Sequence, residues 1–98
     1  MAKFNDIIND NRPVLIDFYA DWCQPCKMVA PILKEVKNSL GEKVRIIKID
    51  VDRNPEISSK YNIRSVPTLM LFKNGQLKFN QSGVISADQI KNLVLANQ

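Results

Sequence analysis

The chain contains no histidine and only two cysteines among its 98 residues, and these shortages exclude much chemistry. Without imidazole there is no Ser-His-Asp or Cys-His catalysis, no His-ligated catalytic zinc and no imidazole proton shuttle. Two cysteines are too few for a Cys-only tetrahedral zinc site in one chain, so no metal is expected. Glycine is also scarce, at three. None stands in a phosphate loop of the dinucleotide-binding type, so no nicotinamide, flavin or other cofactor is expected. Uncharged apolar runs such as Val66 to Phe72 fall far short of the roughly 20 residues a spanning helix needs. Charge of one sign does not accumulate either: Lys+Arg 14 against Asp+Glu 10 gives +4, with no run of three basic residues. Neither a nucleic-acid stripe nor a polybasic lipid anchor is expected. The opening Met1-Ala2-Lys3-Phe4-Asn5-Asp6 has no apolar signal region. As given, the chain is expected in the cytoplasm, although a mature form that had lost a signal reads the same way.

What is present describes an ordinary globular protein, 45% hydrophobic and 24% charged. The length predicts one domain over 1–98, large enough to bury roughly 65% of its unfolded surface and fold without a metal or a structural disulfide. Phe4, Ile7 and Ile8 lie at helical spacing within 3–11, before Arg12-Pro13 ends the helix. Val14 to Tyr19 is a nearly continuous apolar run containing one acid, Asp17, and reads as a strand covered on both faces. Val29, Ile32, Leu33, Val36 and Leu40 predict an amphipathic helix from Cys23 to about Leu40, kinked at Pro31 and stopped by Gly41. Val44 to Ile49 reads as a second buried strand. Asn54-Pro55-Glu56 offers an N-cap, a first-turn proline and an acid for a short helix to about Tyr61. Thr68 to Phe72 is a third strand, and Asn74-Gly75 turns it into a hairpin with Leu77 to Gln81. Ser86-Ala87-Asp88-Gln89 is a capping box that opens a last helix through Ile90, Leu93 and Val94. The order α β α β α β β α predicts a three-layer α/β domain, a mixed sheet of four strands with helices on both faces.

Both cysteines fall in Trp22-Cys23-Gln24-Pro25-Cys26-Lys27. A bridge between them closes too small a loop to stabilise much through chain entropy. Cys-x-x-Cys can be a redox dithiol, half a metal site or a coincidence. The junction of a buried strand with a helix start favours the first, because the helix dipole and unpaired N–H groups there stabilise a thiolate at Cys23. Cys23 is therefore the candidate nucleophile, expected to be exposed. Cys26, one turn into the helix and more covered, is the candidate resolving thiol.

The run Asp17-Phe18-Tyr19-Ala20-Asp21-Trp22-Cys23-Gln24-Pro25-Cys26-Lys27-Met28-Val29-Ala30-Pro31 resembles the active-site signature of the thioredoxin family. The likeness continues through Asn54-Pro55, Ile63-Arg64-Ser65-Val66-Pro67-Thr68, Phe72-Lys73-Asn74-Gly75 and Gly83, from about residue 12 to the C-terminus. There are two departures. Gln24 stands where the family usually has Gly and puts a side chain beside the reactive sulfur. The usual first edge strand is expected to be absent or vestigial, because only three residues precede Phe4.

The resemblance implies a thioredoxin-like fold and a protein-disulfide reductase acting by exchange through Cys23 and Cys26. It implies that Asp17 lies behind Cys26 and is the base for that thiol. An unpaired buried acid is expected to have a raised pKa; the plainer alternative is an acid satisfied by backbone at the strand end. Lys48 matches the family's buried lysine partner of that acid, against the alternative of a solvated strand-end lysine. Val66-Pro67 is implied to be cis and to face the dithiol, with Trp22, Val66, Pro67, Gly83 and Val84 lining an apolar groove for an extended substrate. Pro25 before Cys26 is the residue of reducing members, and Gln24 and Pro25 are the redox-tuning positions. Implied partners are disulfide-bearing proteins and a flavin-containing, NADPH-dependent thioredoxin reductase; a monomer is expected. Two rival readings stay open: an oxidising disulfide catalyst, and a non-catalytic module that uses the groove only to dock.

Overall fold

The computed structural model describes residues 3–98, and their order is α1 (Phe4–Ile8), β1 (Val14–Tyr19), α2 (Gln24–Leu40), a 3-10 turn at Gly41–Lys43, β2 (Arg45–Asp50), α3 (Pro55–Lys60), β3 (Thr68–Lys73), β4 (Gln76–Ser82) and α4 (Ala87–Ala96). The four strands form one sheet in the order β2-β1-β3-β4. β1 pairs parallel with β2 and antiparallel with β3, and β3 pairs antiparallel with β4. The mixed four-stranded sheet has helices around it, and among the described residues no strand precedes α1.

Alternation along β1 divides the interior into two cores. Val14, Ile16 and Phe18 point to one face, where they pack with Met70 and Phe72 under Phe4, Ile8, Ile57 and Tyr61 of α1, α3 and the residue after α3. Leu15 points to the other face, among Val29, Leu33 and Val36 of α2 and Ile90 and Val94 of α4. Period-two geometry puts Asp17 on the Leu15 face, beneath α2. Its cross-strand neighbours are Lys48 on β2 and Leu69 on β3.

Several local expectations need correction. The first helix ends at Ile8, short of residue 11, because the Ile8 and Asp10 carbonyls accept the Gly75 and Asn74 N–H groups of the hairpin turn. Asn54 occupies the N-cap position of α3, but its side-chain amide donates to the Asp50 carbonyl (2.9 Å) and makes no cap. β2, expected to be buried, is a lateral edge of the sheet, with only Ile49 and Asp50 buried. β4, the other edge, is mostly exposed. The hairpin turn is as expected: Asn74 and Gly75 both take positive φ (51° and 79°), the pair a tight two-residue connection requires. The Ser86–Gln89 capping box is formed at α4.

Candidate active site

The site is built where β1 gives way to α2. After Tyr19 the chain turns through Ala20-Asp21-Trp22, and the Cys23 N–H donates back to the Ala20 carbonyl (3.2 Å). Cys23 is the N-cap of α2, and its sulfur accepts the Cys26 N–H at 3.1 Å. Pro25 sits in the first turn, where its missing N–H leaves nothing unsatisfied. That leaves Cys23 Sγ as the acceptor at the positive end of a 17-residue helix. Pro31 lies within the same continuous helix.

Cys23 and Cys26 are joined by a disulfide with Cα atoms 5.3 Å apart. Both residues are largely covered, at 4% and 7% exposure, and pack with Ala20, Tyr19, Val51 and Val66. The expectation of an exposed Cys23 is therefore corrected. In this oxidised state its sulfur is bonded to Cys26 and lies 3.6 Å from the Val66 carbonyl oxygen.

The Val66–Pro67 peptide is cis. Pro67 is buried, and its carbonyl accepts the Gly83 N–H at 2.8 Å, with Gly83 at φ 96°. This bond brings the 83–84 segment beside the Val66–Pro67 segment that meets Cys23. Trp22 and Val84 are the exposed apolar side chains of the region, Trp22 at 71%. Trp22 is thus no core residue; its indole N–H donates to the Asp52 carboxylate at 2.8 Å. Gln24 is exposed on the first turn of α2.

Asp17 is 1% exposed, and its Oδ1 has no hydrogen-bond partner among the described residues. The alternative of an acid satisfied by nearby backbone is not what the structure contains. Burial pushes the carboxyl up to about 6, and the positive charge of Lys48 offsets part of that rise. Lys48 is exposed, with its ammonium 5.1 Å from the Tyr19 ring centroid. It is therefore a solvated lysine that still acts on Asp17 through its charge. A cleft of about 250 Å³ is lined by Tyr19, Cys26, Ala30 and Lys48 among others, so solvent reaches the Cys26 side of the disulfide.

Two contributors were not singled out in the sequence. Asp52 holds Trp22, and Val51 packs on the disulfide. Both follow β2, which its parallel pairing with β1 carries to the same end of the sheet; their only sequence signal is that topology.

A three-layer α/β fold with a Cys-x-x-Cys disulfide at a helix N-terminus defines a thiol-disulfide oxidoreductase. The family model described as Thioredoxin matches residues 1–96. A thioredoxin of Rickettsia bellii (strain RML369-C) is 49% identical over 79 residues, covering 81% of this chain and 75% of that one. A thioredoxin-like protein of Synechocystis sp. is 49% identical over 90 residues, 91% of this chain and 86% of that one. Among solved structures, a mutant thioredoxin from Halobacterium salinarum superposes with a TM-score of 0.85 at 39% identity, over 95% of this chain and 80% of that one. The chain belongs to the thioredoxin family. Its described helices include none long and apolar enough to cross a membrane.

Proposed function

We propose that this thiol-disulfide oxidoreductase works as a reductase of protein disulfides, with Cys23 as nucleophile, Cys26 as resolving thiol and Asp17 as the base for Cys26. The family match over residues 1–96 supports reading 1–98 as one such domain. In the reduced protein the Cys23 thiolate, held by the Cys26 N–H and the helix dipole, attacks one sulfur of a substrate disulfide. That S–S bond breaks, and the substrate's other sulfur leaves as a thiolate that takes a proton from water. Cys26 then passes its proton to the Asp17 carboxylate and attacks Cys23 Sγ. The mixed disulfide breaks, and the sulfur leaving on the substrate takes up a proton. The substrate is reduced by two electrons and the Cys23–Cys26 disulfide remains. An external dithiol reverses the last state; for this family that donor is an NADPH-dependent thioredoxin reductase.

The observation that supports this reading is the disulfide at the α2 N-terminus, together with a buried acid on β1 that has an unpartnered oxygen. A carboxyl titrating near 6 is a better base toward a thiol than an ordinary one, yet stays largely ionised at neutral pH. Trp22, Val66, Pro67, Gly83 and Val84 form the apolar surface around Cys23 that an extended substrate meets, and the Val66 carbonyl beside the sulfur is a backbone acceptor for it. Lys48 tunes Asp17, while Gln24 and Pro25 tune the pair. The cytoplasm suits a reductase of this kind.

The test is insulin disulfide reduction with dithiothreitol as donor. Cys23→Ser is expected to abolish catalysis, and Cys26→Ser to accumulate mixed disulfides. A Cys23→Ser variant that retained both partner binding and the biological effect would favour the non-catalytic docking module instead.

A further inference from the structure

The geometry points to a second binding surface, the open lateral edge of β2, as a strand-addition site for an extended acidic segment of a partner protein. It lies apart from the apolar surface around Cys23 and does not depend on the redox mechanism. In β2 the Arg45 N–H donates to the Pro13 carbonyl and the Val51 N–H to the Tyr19 carbonyl, both at 2.9 Å, so the odd-numbered amides of β2 face β1. The even-numbered residues then present N–H and C=O outward. At the ends these carbonyls are already taken. That of Val44 accepts the Lys37 ammonium at 2.8 Å, and that of Asp50 accepts the Arg53 N–H and the Asn54 amide. Between them, the N–H and C=O of Ile46 and Lys48 have no partner among the described residues. Such a window accepts an extended stretch of about five residues.

The side chains beside that window decide what fits. A cleft of about 430 Å³ runs between the β2 edge and α2, with Ala30, Leu33 and Ile46 as apolar surface and Lys34, Lys37 and Lys48 as its cations. No carboxylate lines it. Lys34 and Lys48 form no ion pair among the described residues, and the hydrogen-bond partners of Lys37 are neutral carbonyls. Arg45 at the lower end is already paired with Asp10 at 3.8 Å. An added strand alternates its side chains between the two faces of the sheet, so Asp or Glu at every second position reaches the lysines of the α2-side cleft. Small aliphatic residues between them fall on the opposite face, beside Ile47. A second copy of this chain, itself carrying +4, is the less favoured occupant.

The probe is the capped pentapeptide Glu-Val-Glu-Val-Glu, titrated at low salt into the oxidised, nitrogen-15-labelled protein and followed by NMR. Saturable shifts and slowed hydrogen exchange are expected at the Ile46 and Lys48 amides. Binding is expected to weaken about threefold to tenfold in Lys34→Glu and with rising ionic strength, and to vanish when the peptide is N-methylated at every residue. Equal binding of the N-methylated peptide, equal binding of a Lys-Val-Lys-Val-Lys peptide, or no saturation at millimolar concentration would each overturn the proposal. So would shifts centred on Trp22 and Val66. Concentration-dependent shifts at Ile46 and Lys48 without peptide would instead assign the edge to a second copy and overturn the acidic partner.

Discussion

Replacing Asp17 by Asn removes a charge while nearly keeping the shape, and the consequence for stability can be worked out with its sign. The folded carboxyl titrates at about 6 against an ordinary 3.8, because burial disfavours the anion more than Lys48 favours it. The folded state thus holds this proton more tightly than the unfolded state does. Any stabilisation from that preference is complete below the unfolded value and is lost as pH rises through the folded value. The shift corresponds to about 3 kcal/mol of wild-type stability lost between roughly pH 3.5 and pH 7.5. Asn carries no such dependence. Its own cost, an amide buried without a full set of partners, is the same at every pH. Asp10, whose carboxyl is held low by the Arg12 N–H and guanidinium, changes stability in the opposite sense, but it is present in both proteins and cancels in the difference. Denaturant unfolding of the oxidised wild type and Asp17→Asn across that pH range is the assay. The variant is expected to gain about 3 kcal/mol relative to wild type from the acid to the neutral end. A difference that stays flat, or moves the other way, would refute the account of Asp17 as a buried, uncompensated acid.

Lys48→Met removes the charge that holds the Asp17 carboxyl down. The midpoint of that titration, followed by carbon-13 NMR of the carboxyl, is expected to move up in pH, and a downward move would contradict the assigned direction. Asp52→Asn weakens the bond that steadies the exposed Trp22 ring. Loss of this charge-assisted hydrogen bond is expected to lower kcat/KM for insulin reduction by about threefold to tenfold. Unfolding stability should stay within about 0.5 kcal/mol of wild type, as for other surface changes. An unchanged kcat/KM would remove Trp22 from the substrate surface.

The parts of the fold that were legible in the sequence are those set by local periodicity. Val14 to Tyr19 alternates between two cores while every residue is apolar except Asp17, so its continuous run marks a central strand correctly. Val44 to Ile49 carries Arg45 and Lys48 among its apolar residues and is an edge. Only Ile49 and Asp50 of β2 are buried, and apolar residues along a strand report covered faces, not a missing lateral neighbour. The Cys pair, its helix start and the buried acid were legible because each follows from residue type at a strand-to-helix junction. Trp22 was placed beside Cys23, but its partner was not legible, since Asp52 is brought to its indole only by the β1–β2 pairing. The partner chosen by Asn54 was hidden for a similar reason, because the Asp50 carbonyl competes with the helix end for its side chain. Part of the coverage of Cys23 comes from Val51 and from Val66, 43 residues along, and that part has no local signal.

Whether the Cys23–Cys26 pair donates electrons to protein disulfides or accepts them from protein thiols is decided by its reduction potential, measured by equilibrating the pair with glutathione buffers and quantifying the two redox forms. The account predicts a reducing value near about −270 mV, and a value at or above about −180 mV would contradict it and make the protein an oxidising catalyst.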